Sequence, residues 1–146
     1  MRIDIYMDSD THGLYKRDRG LTWFLMESEV KGKAYTKHDR ITWIELNRNG
    51  AALEGIVYAL TQIRAKDSEI YIHINNVYIC GYSRKLQEWK KTGYRNRKGN
   101  PIRYRNHWRK IGDMLTERKN KIYFSADIPE VKKEELIKIG TTLKTA

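Results

Sequence analysis

The spacing of apolar residues changes period twice in the first half of the chain, and that change limits the folds open to it. Met1 to Asp8 alternates, with Ile3, Ile5 and Met7 on one side and Asp4, Tyr6 and Asp8 on the other. A period of two predicts a strand, because successive side chains of an extended chain point to opposite faces. From Asn49 onward, Ala52, Leu53, Ile56, Val57, Leu60 and Ile63 recur every three or four positions, the spacing of a helix with one apolar face. Asn47 or Asn49 can cap that helix, since an asparagine oxygen can accept from the open amides of a first turn. Alternation returns in Glu69-Ile-Tyr-Ile-His-Ile74. Strand, helix and strand in this order predict a right-handed crossover onto a parallel neighbour.

The rest of the chain fits around that unit. Ser9 to Gly20 is polar, carries Gly13 and Gly20, and reads as a loop. Leu21 to Val30 and Lys33 to Leu46 are joined by Lys31-Gly32 as a turn, so the opening third predicts a three-stranded antiparallel meander. Helical spacing recurs in Val77 to Lys90, Asn106 to Glu117 and Glu130 to Leu143, the last with Val131, Leu136, Ile137 and Leu143 expected to face inward. Lys121 to Phe124 reads as a short fifth strand. With 146 residues, no internal repeat and no low-complexity linker, a single domain over residues 1–146 is expected. Cys80 is the only cysteine, which fits a small buried apolar residue in a reducing, cytoplasmic setting. The chain opens on a strand with no room for a signal peptide, and no run approaches the roughly 20 apolar residues of a membrane span. No membrane partner is expected.

The charge is placed unevenly. Between Arg84 and Lys121 stand fourteen lysines and arginines against Glu88, Asp113 and Glu117, which accounts for the chain's whole formal excess of +11. Such a concentration predicts a polyanionic partner, nucleic acid first. Lys90, Lys91, Arg95, Arg97, Lys98, Arg103, Arg105 and Arg109 are the candidate phosphate contacts. Trp89, Tyr94, Tyr104, His107 and Trp108 are interleaved with them. These aromatics can lie against sugar and base or anchor the segment to the core, and the helical positions of Trp89 and Trp108 suit the second role.

The order of elements, together with Ile3-Asp-Ile-Tyr-Met-Asp8, Asn49-Gly-Ala-Ala-Leu-Glu-Gly-Ile-Val-Tyr-Ala-Leu60, Glu88-Trp-Lys-Lys-Thr-Gly-Tyr94 and Lys98-Gly-Asn-Pro-Ile102 followed by Trp108, resembles the bacterial-type ribonuclease H family over nearly the whole chain. The resemblance implies an α/β fold: a mixed five-stranded sheet, three antiparallel strands and then strands parallel to the first, flanked by helices. It also implies that the segment from about residue 84 to residue 110 is the family's basic handle, which helps to hold hybrid substrate, with Asn49 a further contact.

Family members cut the RNA of an RNA/DNA hybrid with two divalent ions held by four carboxylates, because clustered anionic oxygens must offset two neighbouring cations. Carried onto this chain, the first aspartate falls on Asp8, the helix glutamate on Ala52, the aspartate after the fourth strand on Asn75, and the last acid on Glu134. The family's histidine-bearing loop is shortened to Ser125-Ala-Asp-Ile-Pro129 and has no histidine. Asp10 and Asp127 are the other acids near enough in the pattern to stand in, and a single weakly held Mg²⁺ or Mn²⁺ at Asp8, Asp10 and Glu134 is the remaining metal site. His12 follows the first strand and comes near substrate in this alignment. Glu54, two residues after Ala52 and so about 200° further round a helix, should point away.

The expected function is nucleic-acid binding, to RNA/DNA hybrid or duplex RNA, on a degenerate site that requires no cofactor. Two alternatives stand beside it. One is an active, divergent Mg- or Mn-dependent ribonuclease H. The other is an accessory or inhibitor from a virus or mobile element acting on a protein–nucleic acid complex.

Overall fold

The computed structural model describes residues 1–13 and 15–145. β1 (Arg2–Ser9), β2 (Arg17–Val30) and β3 (Lys33–Leu46) pair antiparallel in sequence. After α1 (Arg48–Thr61), β4 (Glu69–Ile74) returns parallel to β1, and β5 (Lys121–Ser125) lies parallel to β4. The sheet order is therefore β3-β2-β1-β4-β5. Between β4 and β5 the chain forms α2 (Val77–Ser83), α3 (Leu86–Thr92) and α4 (Arg105–Arg118), and α5 (Glu130–Thr145) follows β5. This is the mixed five-stranded α/β sheet that the meander and the crossover predict.

The alternation of β1 divides the interior into two layers. Ile3, Ile5 and Met7 enter the larger core with Leu53, Ile56 and Leu60 of α1 and Trp108 and Ile111 of α4. Tyr6 faces the other way, into a smaller core with Trp23, Leu25 and Leu136. Each such aliphatic side chain contributes about 1.5–3 kcal/mol by leaving water. Close seating of the helices depends on two glycines. A Cβ on Gly55 would stand 2.4 Å from Thr22 Cγ2, and one on Gly140 2.3 Å from Trp23 Cζ2, so both must lack a side chain for α1 and α5 to reach the sheet.

Three expectations are corrected. The loop after β1 ends earlier than Gly20, because Arg17 already pairs with Leu46; exposed polar residues at that end of β2 hide the alternation. Val77 to Lys90 is not one helix. The Arg84 and Lys85 amides donate three residues back, to Gly81 and Tyr82, which tightens the last turn of α2 before α3 restarts with Leu86 in the core. In α5, Val131 and Ile137 face solvent, while Leu136 is buried with Ile139 and Leu143 packed around it. The inward stripe follows Leu136, Ile139 and Leu143 at helical spacing, a face from which Val131 and Ile137 are rotated.

Candidate active-site cleft and basic surface

Because β1 and β4 are parallel neighbours, their C-terminal ends open on one edge of the sheet, beside the start of α1 and the middle of α5. A cleft of about 200 Å³ lies there. Asp8, Ala52 and Asn75 all line it, so the structure brings together three of the positions singled out by the alignment. Asp8 is half-buried and accepts from the Ser9 amide at 2.8 Å. Burial pushes its carboxyl above the ordinary carboxylate range, and the Ser9 amide, then His12, Lys144 and Arg48, pull it back. Ala52 is buried and contributes a methyl group. Asn75 is exposed, and its carbonyl accepts from the Arg48 guanidinium.

The other expected acids are elsewhere. Asp10 turns onto β2: its carboxylate accepts from the Leu21 amide at 3.0 Å and its carbonyl from Arg17 at 2.7 Å. It lines a neighbouring groove with Arg19, Trp43 and Lys144 instead of the cleft. Glu134 is exposed on α5 and does not line the cleft; Lys133 does. The physical reason is helical rotation, since the residue three before buried Leu136 shares its side of the helix and the residue two before does not. Asp127 is exposed, with its amide donating to Ser125 Oγ. Glu54 faces α4, where its carboxylate meets His107 Nε2 at 3.0 Å. His12 lines the cleft from the loop. The sequence reading missed Arg48 and Lys133. The signal for Arg48 is its position, the first residue after the Asn47 cap at the open edge of the sheet.

Buried asparagines connect this cleft to the basic segment. Asn47 Oδ1 caps α1 by accepting from the Gly50 amide at 3.0 Å and also accepts from the Tyr104 hydroxyl at 2.9 Å. Asn76, 1% exposed, caps α2 through Ile79 and donates to Asn49 Oδ1 at 2.9 Å. Asn49 is thus partly engaged within the protein, and it borders a groove of about 300 Å³ with Lys85, Trp89 and Arg103.

The basic segment itself is built around turns. α3 stops at Gly93, whose φ of +67° is the left-handed conformation that ends helices, with its amide on the Trp89 carbonyl. Arg95 then pairs with Pro101, and the Asn96 carboxamide oxygen accepts from the Lys98 and Asn100 amides, each at 3.0 Å. Arg97 and Lys98 stand exposed at the tip of this turn. Lys91 and Arg103 are exposed as well. Three of the candidate contacts also brace the segment: Arg95 donates to the Gly99 carbonyl, Arg105 to Gly93 and Lys90 to Thr116. Desolvation, then the nearby Arg109 and Arg95, holds the Arg105 guanidinium below its ordinary value. Among the described residues, no lysine or arginine from Arg84 to Lys121 is in a salt bridge. Tyr94 is corrected from a surface contact to an anchor, since it is 5% exposed and packs on Gly112. Trp89 rests half-buried against fully buried Trp108, ring centroids 5.5 Å apart.

No family model matches the chain, and no curated protein matches it. Solved structures do. The foamy viral protease-reverse transcriptase in complex with RNA/DNA hybrid superposes with a TM-score of 0.67 at 16% identity over 97% of this chain, which spans 19% of that longer chain. LC9-RNase H1, a type 1 RNase H with the type 2 active-site motif, gives a TM-score of 0.69 at 14% identity, covering 97% of this chain and 71% of the other. This chain has the ribonuclease H fold. LC11-RNase H1, solved in complex with RNA/DNA hybrid, shares it at a TM-score of 0.61 and 17% identity, over 96% of this chain and 94% of that one.

Within the ribonuclease H fold the cleft stands where the family resemblance places two divalent ions. Its donors do not suit them. Asp8 is the one carboxylate among the described residues that line it, Ala52 and Asn75 offer a methyl group and a neutral carboxamide, Arg48 and Lys133 line it as well, and no cluster of three His, Cys, Asp or Glu able to hold a metal ion occurs among the described residues. No helix among those residues is long and apolar enough to cross a membrane.

Proposed function

We propose that the chain, as one ribonuclease H-like domain, binds nucleic acid through its basic handle and does not cleave it efficiently. The observation that carries this reading is the run of arginines and lysines from Arg84 to Lys121 with no carboxylate partner among the described residues, on two helices and a turn whose own hydrogen bonds fix it. Lys91, Arg97, Lys98 and Arg103 contact phosphates, with Arg95, Arg105 and Arg109 behind them. Binding of this kind reads backbone and shape more than base edges. RNA/DNA hybrid or duplex RNA is the partner it suits, and hybrid complexes of two proteins with the same fold support that choice. The reading needs no resident metal, because the residues of the cleft do not fit a two-ion centre.

The test is a labelled RNA/DNA hybrid incubated with Mg²⁺ and then Mn²⁺, beside an Asp8→Asn variant. Intact RNA, with the hybrid retarded at low salt and released at high salt, is the expected result. Cleavage that disappears in the variant would replace this reading with that of a divergent enzyme.

A further inference from the structure

The cleft at the ends of β1 and β4 has the wrong electrical sign for cations. Asp8 is its one carboxylate, and Arg48, Lys133 and His12 line it with that residue. Arg48 is fixed in place: its guanidinium donates to the Asn75 carbonyl and its amide to the Gly13 carbonyl. That leaves most of the five guanidinium donors for a ligand. Among the described residues Arg48 has no carboxylate in salt-bridge range. Lys133 pairs with Glu130 at 3.3 Å, but both side chains are well exposed, at 47% and 81%. An exposed pair of this kind is worth about 1 kcal/mol or less, so an incoming phosphate displaces it readily.

The walls add to this. Ile74, Ala52, Ile128 and Leu136 line the cleft beside the charged groups, and apolar walls strengthen the attraction between an anion and the cations that meet it. Arginine and lysine differ usefully here. The planar guanidinium can hold two oxygens of one phosphate side by side, and the ammonium supplies a point charge from α5.

We propose that the cleft seats one backbone phosphate of the bound nucleic acid directly on Arg48 and Lys133, with no divalent ion between protein and phosphate. The proposal rests on the nucleic-acid reading above and adds a second point of contact, separate from the handle. Protein cations replace the metal as the neutralising charge, so affinity does not depend on Mg²⁺.

Fluorescence anisotropy of a labelled RNA/DNA hybrid, titrated over a series of salt concentrations in EDTA and again in Mg²⁺, tests it. The proteins compared are the wild type, Arg48→Gln/Lys133→Gln, Lys133→Glu alone, Arg48→Lys, Asp8→Asn, and the handle pair Arg97→Glu/Lys98→Glu. Loss of one phosphate contact lowers the slope of log affinity against log salt by about 0.9 and weakens binding about fivefold at 0.15 M salt. That result is expected for Arg48→Gln/Lys133→Gln in EDTA, with Arg48→Lys keeping most of the slope. Lys133 lies exposed on α5, so Lys133→Glu should fold whatever the fate of the Arg48 variants, and it should weaken binding at least as much. Unchanged slope and affinity in both Lys133 variants, while the handle pair binds poorly, would overturn the phosphate seat and leave the handle standing. Binding that Mg²⁺ tightens in the wild type but not in Asp8→Asn would also overturn it, in favour of a metal seat. A wild type that fails to retain the hybrid even at low salt overturns the nucleic-acid reading and this proposal with it.

Discussion

The basic segment and the cleft lie on one framework, yet they are built from different things. The basic segment is a matter of charge, with Arg97 and Lys98 exposed on a turn held by the Asn96 side chain, Arg95–Gly99 and Arg105–Gly93 hydrogen bonds and further cations on the flanking helices. The cleft keeps a shape. Asp8, Ala52 and Asn75 line it together with two cations, Arg48 and Lys133. Affinity for a polyanion is a sum of similar, replaceable terms, so it survives drift at any one of them. A two-ion centre is not a sum, because each missing carboxylate removes a ligand that no neighbour supplies.

The first prediction concerns how the handle is attached. Trp108 is 1% exposed and packs between Trp89 and Phe124. Trp108→Ala should cost about 3–5 kcal/mol of stability in urea unfolding. A midpoint close to wild type would mean that the handle is not anchored through the core and that the two regions are less connected than described. The second separates placed charge from total charge. Arg97→Glu/Lys98→Glu should weaken hybrid binding by about tenfold or more at 0.15 M salt, whereas Lys33→Glu/Lys37→Glu, the same change in net charge on β3, should alter it by no more than about twofold. Equal losses in the two pairs would reduce the handle to a share of net charge.

The smallest effect belongs to the cleft. Burial raises the Asp8 carboxyl above its ordinary value, so between the unfolded and folded pKa values the native state holds more proton than the unfolded chain. Stability therefore falls as pH rises through that window. Asp8→Asn removes the buried charge and should raise the Tm slightly at pH 7, with the gain vanishing in acid below the ordinary aspartate pKa of about 3.9. Thermal scans at the two pH values measure it, and a lower Tm at pH 7 would show that Asp8 still serves a stabilising partner.

Much of the fold was legible because its elements have strong periods: β1 and β4 alternate, and α1 repeats Leu53, Ile56 and Leu60 on one side. Where charge replaced pattern, legibility failed. The start of β2 was hidden by Arg17, Asp18 and Arg19, all exposed. On α5, Val131 and Ile137 are apolar but solvent-facing, so residue type misdirected the helix by part of a turn. The resemblance put Glu134 at the cleft, and Lys133 lines it instead. Ala52 and Asn75 were legible as cleft residues, because the resemblance aligns them with positions where it expects acids. Arg48 and Lys133 were not, because an arginine after a cap and one lysine among several on a helix become meaningful only when folding brings them together.

The bond from Tyr104 to Asn47 has a consequence for what can be recognised. Tyr104 opens α4 at the root of the handle, and Asn47 is the cap that sets Arg48 at the mouth of the cleft. The bond ties the root of the basic segment to the mouth of the cleft like two jaws of one caliper. If nucleic acid binds as proposed, a duplex touching both would have to bring phosphates to a separation set by the protein, so the width of its groove would be measured whatever the sequence of its bases.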